Sequence, residues 1–299
     1  MNPAVQIFEK SPLPEVPIGD WLNSGVEWVE DHLQPVLDFF VMLVEDILYD
    51  NILDGLLWVP PLILAVVFAL IAWALRGWKF GLVSLVGMLL IQAMPTADMW
   101  LESMRTLVLT LIAVAGALVI AIPLGILSAK NRAVSTVVRP VLDFMQTLPA
   151  FVYLLPALFF FGIGTTAGVA CSFIFCAPPA VRLTELGIRQ VDPEMVEAGH
   201  AFGATPRSIL GRIQIPLAMP TIMAGINQVI MLALAMVVIA GLVGAQGLGT
   251  VVIEGINRLQ LPKGFEGGLA VVILAIYLDR VTAGLGDRSA AARVSNLAV

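Results

Sequence analysis

Charge is scarce in this chain of 299 residues, of which 13% are Asp, Glu, Lys or Arg and 59% are apolar. A soluble domain usually carries about 25% charged residues, so a water-soluble fold is excluded for most of the length. Cysteine is scarcer still, because only Cys171 and Cys176 occur, both inside an apolar run. Two such cysteines exclude a disulfide framework and do not suggest a metal site.

Motifs of catalysis are also missing. The sequence has no Gly-x-x-x-x-Gly-Lys-Ser/Thr phosphate loop, no His-Glu-x-x-His zinc motif and no Gly-x-Ser-x-Gly nucleophile. Few charges fall in the middle of the apolar segments, where proton-coupled carriers usually place acids. We therefore expect no catalytic residue, no metal and no cofactor on this chain, and an energy source that belongs to a partner.

Long apolar runs are what the chain has instead. Each is near the roughly 20 residues that cross a bilayer as a helix, the only open-ended structure that satisfies its own backbone in lipid. The predicted fold class is therefore all-α, a polytopic membrane protein with about seven spans. These spans are residues 58–75, 80–93, 106–129, 141–161, 165–181, 217–243 and 267–283.

The first 57 residues differ from the rest because they are acidic, with Lys10 as their one base. Apolar residues recur at helical spacing from Trp21 to Ile47, with acids on the other face. This density of acids forbids a span and favours an amphipathic helix lying on the outer membrane surface. A second interpretation is a small helical cap packed on the transmembrane bundle.

Basic residues predict the orientation, since cytoplasmic loops are enriched in Lys and Arg. With the N-terminus outside and seven spans, four bases fall outside: Lys10, Arg105, Arg258 and Lys263. The twelve that fall inside are Arg76, Lys79, Lys130, Arg132, Arg139, Arg182, Arg189, Arg207, Arg212, Arg280, Arg288 and Arg293. We therefore expect the N-terminus outside and the C-terminus inside.

The longest inner loop, residues 190–216, predicts two short helices with a sharp corner. Asp192 is a typical N-cap and Pro193 suits the first helical position. Gly203 suits the left-handed residue that ends a helix, and Thr205 caps a second one. Such a rigid knob transmits motion from a partner, although a loop that only covers the bundle end has the same pattern.

This loop resembles the signature of permease subunits of binding-protein-dependent ABC importers: Glu-Ala-Ala, three residues, Gly, nine residues, Ile, one residue, Leu-Pro. The matching residues are Glu197, Ala198, Gly203, Ile213 and Pro216, while Gly199 replaces the second alanine and Ile215 the leucine. Residues 143–164, 217–249 and 267–280 are similar to the glycine betaine/proline-betaine (ProW/OpuAB-like) permeases, and the likeness covers about residues 95–286.

The resemblance implies a type I ABC importer permease in the bacterial inner membrane, serving osmoprotection. Two permease copies and two ATPase subunits, which hold ATP and Mg, would work with an outer substrate-binding protein. It also implies four parts: an acidic segment (1–57), two peripheral helices (58–95), the core (96–286) and a cytoplasmic tail (287–299). The residues expected at the ATPase contact are Glu197, Ala198, Gly199, Gly203, Ala204, Thr205, Ile213 and Pro216.

Two further groups of residues are candidates for the translocation path and for an outer hinge. Polar side chains in spans either line a path or join helices by hydrogen bonds, and these two roles stay open for Gln146, Thr147, Asn227 and Gln228. Gly244, Gly247 and Gly249 are expected to form an outer hinge where the binding protein docks. Membrane lipid is the only other expected partner, and we expect no nucleic acid to bind.

These residues do not decide which class of substrate the protein transports. The loop signature is shared with importers of methionine and other amino acids, so these are an alternative to the betaines. An ATP-independent carrier is the second alternative, which the absence of any ATPase partner would favour.

Overall fold

The computed structural model describes residues 17–96 and 98–297, which are mostly helical with no strand among them. The predicted all-α class is confirmed. The α-helices in chain order are α1 (Ile18–Met42), α2 (Asp50–Leu57), α3 (Pro61–Arg76), α4 (Trp78–Ala93), α5 (Met99–Lys130), α6 (Arg132–Thr147), α7 (Leu154–Phe161), α8 (Thr165–Arg189), α9 (Pro193–Ala201), α10 (Pro206–Ile209), α11 (Ile215–Ala240), α12 (Leu248–Asn257) and α13 (Leu261–Leu297). π turns cover Leu43–Tyr49 and Leu210–Gln214, and 3₁₀ turns cover Ala150–Tyr153 and Gly241–Val243.

The chain forms two compact units, one ending at Phe40 and the other beginning at Val41. The described part of the first unit is the body of α1. Its large apolar side chains, including Trp21, Trp28 and Val36, are exposed, and Trp28 stacks on His32 with ring centroids 4.8 Å apart. These exposed apolar side chains suit the predicted amphipathic helix, whose membrane contact stays a prediction. Residues 1–16 lie outside the described residues.

Three helices, α5, α8 and α11, form the centre of the second unit. They approach closely because glycines stand at their contacts. A Cβ at Gly125 would lie 2.6 Å from Thr184 Cβ and 2.7 Å from the Val181 carbonyl oxygen. A Cβ at Gly225 would lie 3.0 Å from Leu183 Cβ. Small residues are the usual means of packing helices in lipid, where burial in protein gains little over lipid contact.

Four described helices are long and apolar enough to cross a membrane: Met99–Lys130, Thr165–Arg189, Pro206–Val243 and Leu261–Gly286. The number rises to at most six if each of two bent pairs counts as one span. All seven predicted segments are helical, but α3 and α4 have 16 residues each, or about 24 Å at 1.5 Å per residue. Seven complete crossings therefore stay a prediction.

The fourth predicted span, residues 141–161, is broken and not one straight helix. α6 ends at Thr147, and its axis meets that of the segment Ala150–Phe161 at 108°. The cause is Pro149, which pushes the preceding Leu148 into the extended region, at φ −70° and ψ 134°. The polar half of the segment thus lies at an angle to the apolar half.

Helices α5 and α8 run in the same direction and α11 runs opposite to them, so the ends of the three helices gather in two groups. At the first, which we call the turn end, the Gly164 N–H donates to the Val243 carbonyl at 3.1 Å and the Leu248 N–H donates to Thr106 Oγ1 at 2.8 Å. At the second, the loop end, Arg189 Nη2 donates to the Ser128 carbonyl at 2.8 Å. Arg105 and Lys263 lie at the turn end and Arg139, Arg182 and Arg189 at the loop end, which matches the predicted division of bases.

Residues 43–57 pack on the turn end of the bundle. Val44, Tyr49 and Leu53 are buried, and Thr166 Oγ1 donates to Glu45 Oε2 at 2.9 Å. For this part of the acidic segment, the structure agrees with the second interpretation, a cap on the bundle.

The hairpin of α3 and α4 is peripheral and is held to α13. Tyr277 Oη donates to the Phe68 carbonyl at 3.2 Å, and the Thr96 N–H donates to Glu266 Oε2 at 3.2 Å. The predicted domain boundaries at residues 57, 95 and 286 stay predictions.

Gly125→Ala is expected to lower the free energy of unfolding by about 1–3 kcal/mol, because the added methyl meets the α8 backbone. The matched control is Gly268→Ala, a helical glycine with nothing within 4 Å, which is expected to be neutral or up to about 1 kcal/mol stabilising. Thermal unfolding of the purified protein in detergent measures both. Equal midpoints for the two variants would contradict the close approach of α5 and α8.

Candidate functional site

The predicted knob between α8 and α11 begins with a capped helix. The Asp192 carboxylate accepts the Glu194 N–H at 2.9 Å, and Pro193 is the first residue of α9. An N-cap of this kind satisfies one of the backbone donors that a helix start leaves free. The first of the two predicted short helices is therefore confirmed in place and capping.

A left-handed glycine ends α9. Gly203 has φ +76°, its N–H donates to the His200 carbonyl at 2.9 Å, and the Ala204 N–H donates to the Gly199 carbonyl at 3.0 Å. Any other residue is strained at this φ, so the corner depends on glycine. Thr205 Oγ1 then accepts the Ser208 N–H at 3.3 Å, as expected of the second cap.

The second short helix is not separate, in contrast to the prediction. α10 continues through the π turn Leu210–Gln214 into α11, and Pro206–Val243 forms one helical span of 38 residues. Pro216 and Pro220 mark no break. A proline ring crowds the carbonyl four residues earlier, and the wider π turn directly before Pro216 accommodates that ring. The corner at Gly203 is thus joined rigidly to the longest span of the core.

Gly199 is the buried contact between the two arms of the knob. A Cβ there would lie 2.8 Å from Ile213 Cδ1 and 3.2 Å from Ile209 Cγ1. Ile209 itself is buried. Glycine at this position therefore brings α9 against the start of the long span, a packing role that the sequence motif alone does not reveal.

The knob is seated on the bundle by a small apolar cluster. Ile188, Val191, Ala218 and Ile222 are buried together, and Val196 and Leu210 of the knob pack against them. The outward surface of the knob includes Glu197, Ala198, Gly203 and Thr205. Phe202 is 91% exposed, because α9 ends at Ala201 and the chain turns there. The sequence motif alone does not single out this exposed ring.

The glycines of the predicted outer hinge form a compact turn. Gly244 has φ +79° and Gly247 has φ +136°, in the region that favours glycine. A Cβ at Gly249 would lie 2.4 Å from the Val238 carbonyl oxygen. The turn is fastened to α5 and α8 by the two turn-end hydrogen bonds. Hinge motion and docking at this turn stay predictions.

A polar cleft of about 280 Å³ lies beside this turn, lined by Glu102, Arg105, Gly244, Gln246, Thr250, Val251, Glu254 and Lys263. Arg105 Nη1 pairs with Glu102 Oε1 at 2.7 Å. Lys263 donates to Glu254, and this hydrogen bond together with its positive charge lowers the pKa of the Glu254 carboxyl. A depressed carboxyl pKa means that the ion pair stabilises the fold above the usual carboxyl pKa and that this contribution is lost as the pH falls through the lowered value.

The four polar candidates for a path fall in two places. Gln146 and Thr147 end α6 and are exposed, and Thr147 Oγ1 donates to the Phe144 carbonyl at 2.8 Å. Asn227 and Gln228 lie within α11, where Gln228 is exposed and Asn227 Oδ1 is buried with no hydrogen-bond partner in the described structure. Their part in translocation stays a prediction.

A charged cluster at the loop end was missed by the sequence analysis. A cavity of about 280 Å³ is lined by Arg139, Asp143, Arg182, Glu185 and Leu186. Asp143 pairs with Arg182, which gives this acid a partner across two helices. The available signal was the spacing of Arg182, Glu185 and Arg189, which places three charges on one face near the end of an apolar helix. In the described residues, no group of three or more His, Cys, Asp or Glu could hold a metal.

Substitution at Gly199 is expected to depend on the size of the new side chain. Gly199→Ala should cost under about 1.5 kcal/mol of stability, since the end of the Ile213 side chain can move aside. Gly199→Val should cost about 1–3 kcal/mol, because its branched carbons also meet Ile209. Thermal unfolding and protease cleavage within 190–205 measure the difference. A Val variant as stable and protease-resistant as the Ala variant would contradict the described packing.

Comparison with known proteins gives matches over nearly the whole chain. A family model described as "Binding-protein-dependent transport system inner membrane component" matches residues 121–289. The glycine betaine/proline betaine transport system permease protein ProW of Escherichia coli is 45% identical over 274 residues, 92% of this chain and 76% of ProW. The glycine betaine transport system permease protein OpuAB of Bacillus subtilis is 43% identical over 277 residues, 90% of this chain and 94% of OpuAB.

A third relative and a solved structure agree with these. The glycine betaine/carnitine transport permease protein GbuB of Listeria monocytogenes is 46% identical over 285 residues, 93% of this chain and 98% of GbuB. The MetNI methionine ABC transporter in an inward facing conformation matches with a TM-score of 0.55 at 22% identity, over 64% of this chain and 94% of the matched one. The structural likeness supports the fold, a type I ABC importer permease.

Proposed function

Because the chain belongs to the family of binding-protein-dependent transport system inner membrane components, we propose that it is the permease of an ATP-driven importer for glycine betaine and related quaternary-ammonium osmolytes. The observation that carries the substrate class is 43–46% identity, over nine tenths of this chain, to permeases named for glycine betaine transport. Proline betaine and choline are chemically close enough to share the route. The expected role is osmoprotection.

The knob is the proposed contact with the ATPase subunits. Its exposed surface combines the carboxylate of Glu197 with the ring of Phe202, on a helix fixed at both ends by Asp192 and Gly203. An exposed aromatic ring on a rigid corner suits insertion into a groove. Two permease copies would carry two knobs, each docked on one ATPase, which supplies ATP and Mg.

The continuity of the helix from Pro206 to Val243 supports a mechanism in which movement of the knob is passed along this helix. Closure of the ATPases would move the knobs, and each knob would carry the long span with it, because α10 and α11 are one helix. The turn end of that span, at Gly241–Val243, would then move relative to its neighbours. This describes a bistable bundle that ATP biases from one end and the loaded binding protein from the other.

The proposed orientation places the loop end in the cytoplasm, with the N-terminus outside and the C-terminus inside. It is supported by Arg139, Arg182 and Arg189 at the loop end, since bases gather on the cytoplasmic side. The cleft beside Gly244 then faces outward, where the substrate-binding protein would dock.

The test is uptake into proteoliposomes that hold the permease, its ATPase and its binding protein, with ATP inside and labelled substrates outside. We expect ATP-dependent accumulation of glycine betaine and no accumulation of methionine. Uptake of methionine alone would contradict the osmolyte as substrate but would still agree with an ATP-driven importer. Uptake of glycine betaine without ATP would contradict the importer itself.

Gly203→Val is the variant that tests the coupling role of the knob in this assay, because valine is strained at φ +76°. Its partner control is Gly55→Val, an exposed helical glycine with nothing within 4 Å. We expect the first to lose uptake while remaining in the membrane, and the second to transport as the unmodified protein does. Normal uptake by Gly203→Val would contradict the role of the knob.

A further inference from the structure

Two polar stripes face each other between α6 and α8 at the loop end. On α6, Ser135, Arg139 and Asp143 stand four residues apart and share one face. On α8, Arg182 and Glu185 share the facing surface. Ser135 Oγ and Arg139 Nη2 donate to the same oxygen, Glu185 Oε1, at 2.8 and 2.9 Å.

These polar contacts are the main attachment of α6 to the bundle. In the whole of Arg132–Thr147, only Ser135 and Leu142 are buried. One buried leucine provides little apolar packing for a helix of 16 residues. The position of α6 therefore depends on its polar contacts with α8, two of which end on Glu185.

Glu185 is the point at which three helix ends meet. Its side chain is 3% exposed, and Arg189 Nε donates to Oε1 at 2.9 Å. Arg189 also donates to the Ser128 carbonyl of α5, and it is the last residue of α8, directly before the knob loop. A buried carboxylate must keep its paired donors, so a shift of the loop acts on α5, α6 and α8 together.

The segment that follows α6 packs against the turn end of the long span Pro206–Val243. After the bend at Pro149, Tyr153, Leu154 and Ala157 pack in one buried cluster with Met236, Ala240 and Val243. The knob thus reaches this cluster by two routes, through the span Pro206–Val243 and through Glu185 and α6.

We propose that Glu185 is a positioning residue of transport, which passes movement of the knob loop to α6 and through it to the turn end. This inference rests on the proposed function. Loss of Glu185 then separates ATP hydrolysis, which the partner performs, from movement of the bundle. A residue that only stabilised the fold would lower both in proportion to the amount of assembled complex.

The test compares Glu185→Gln, which removes the charge at constant size, with Asp54→Asn, an exposed acid of α2. The measurement is ATP hydrolysed per molecule of glycine betaine accumulated by equal amounts of assembled complex. We expect the ratio to rise about tenfold in Glu185→Gln, as for loss of a hydrogen bond to a charged group, and to stay constant in Asp54→Asn. An unchanged ratio in Glu185→Gln would overturn the proposal.

Arg139→Gln keeps the proposal testable if Glu185→Gln does not assemble, because the Arg139 side chain is more than half exposed. It is expected to raise the same ratio, and where both variants assemble, the double variant should add little to either. An Arg139→Gln complex with normal coupling would overturn the proposal. Absence of uptake by the unmodified complex would contradict the proposed function instead, so the two failures are distinguishable.

A distance measurement distinguishes transmission through Glu185 from a purely stabilising role of this residue. Spin labels at Val137→Cys on α6 and Ala201→Cys on the knob occupy exposed positions, while the native Cys171 and Cys176 are buried. In the otherwise unmodified complex α6 follows the knob, so ATP binding is expected to change the distance between the two labels of one chain little. In Glu185→Gln the knob moves without α6, and this distance is expected to change. The same shift in both would contradict transmission through Glu185.

Discussion

The continuous helix from Pro206 to Val243 is the element on which the rest of the structure depends. A backbone in lipid must satisfy its own hydrogen bonds, and this helix does so without a break from the knob to the turn end. The knob is joined to this helix by the corner at Gly203 and by the contact at Gly199. Under the proposed function, force applied at the exposed Phe202 has a continuous helical path to the opposite end of the bundle.

Close helix packing makes that path effective. α5, α8 and α11 touch at glycines such as Gly125 and Gly225, where one added methyl would meet neighbouring atoms. A densely packed interface of this kind shifts between discrete arrangements and does not deform smoothly. The buried carboxylate of Glu185 lies where the ends of α5, α6 and α8 meet, one turn before the knob loop.

Local chemistry explains what was predictable from sequence. Asp192, Gly203 and Thr205 act through neighbours within a few residues, so their caps were readable, as were the apolar segments. The break at Pro149 was also local, but the length of the apolar run hid it. Three features depend on tertiary packing: the passage of the helix through Pro216, the exposure of Phe202 and the burial of Glu185. Periodicity shows that a face exists and does not show which helix covers it.

The central claim is that the knob and the long span move as one body. The most direct measurement is the distance between spin labels at Arg207 and Ala224, both exposed and on opposite sides of the π turn, before and after ATP binding to the assembled complex. At 1.5 Å per residue the two positions lie about 26 Å apart along the helix. We expect this distance within one chain to stay constant while the distance between the Arg207 labels of the two permease copies changes. A change across the π turn itself would contradict it, because the turn would then be a hinge between the knob and the span.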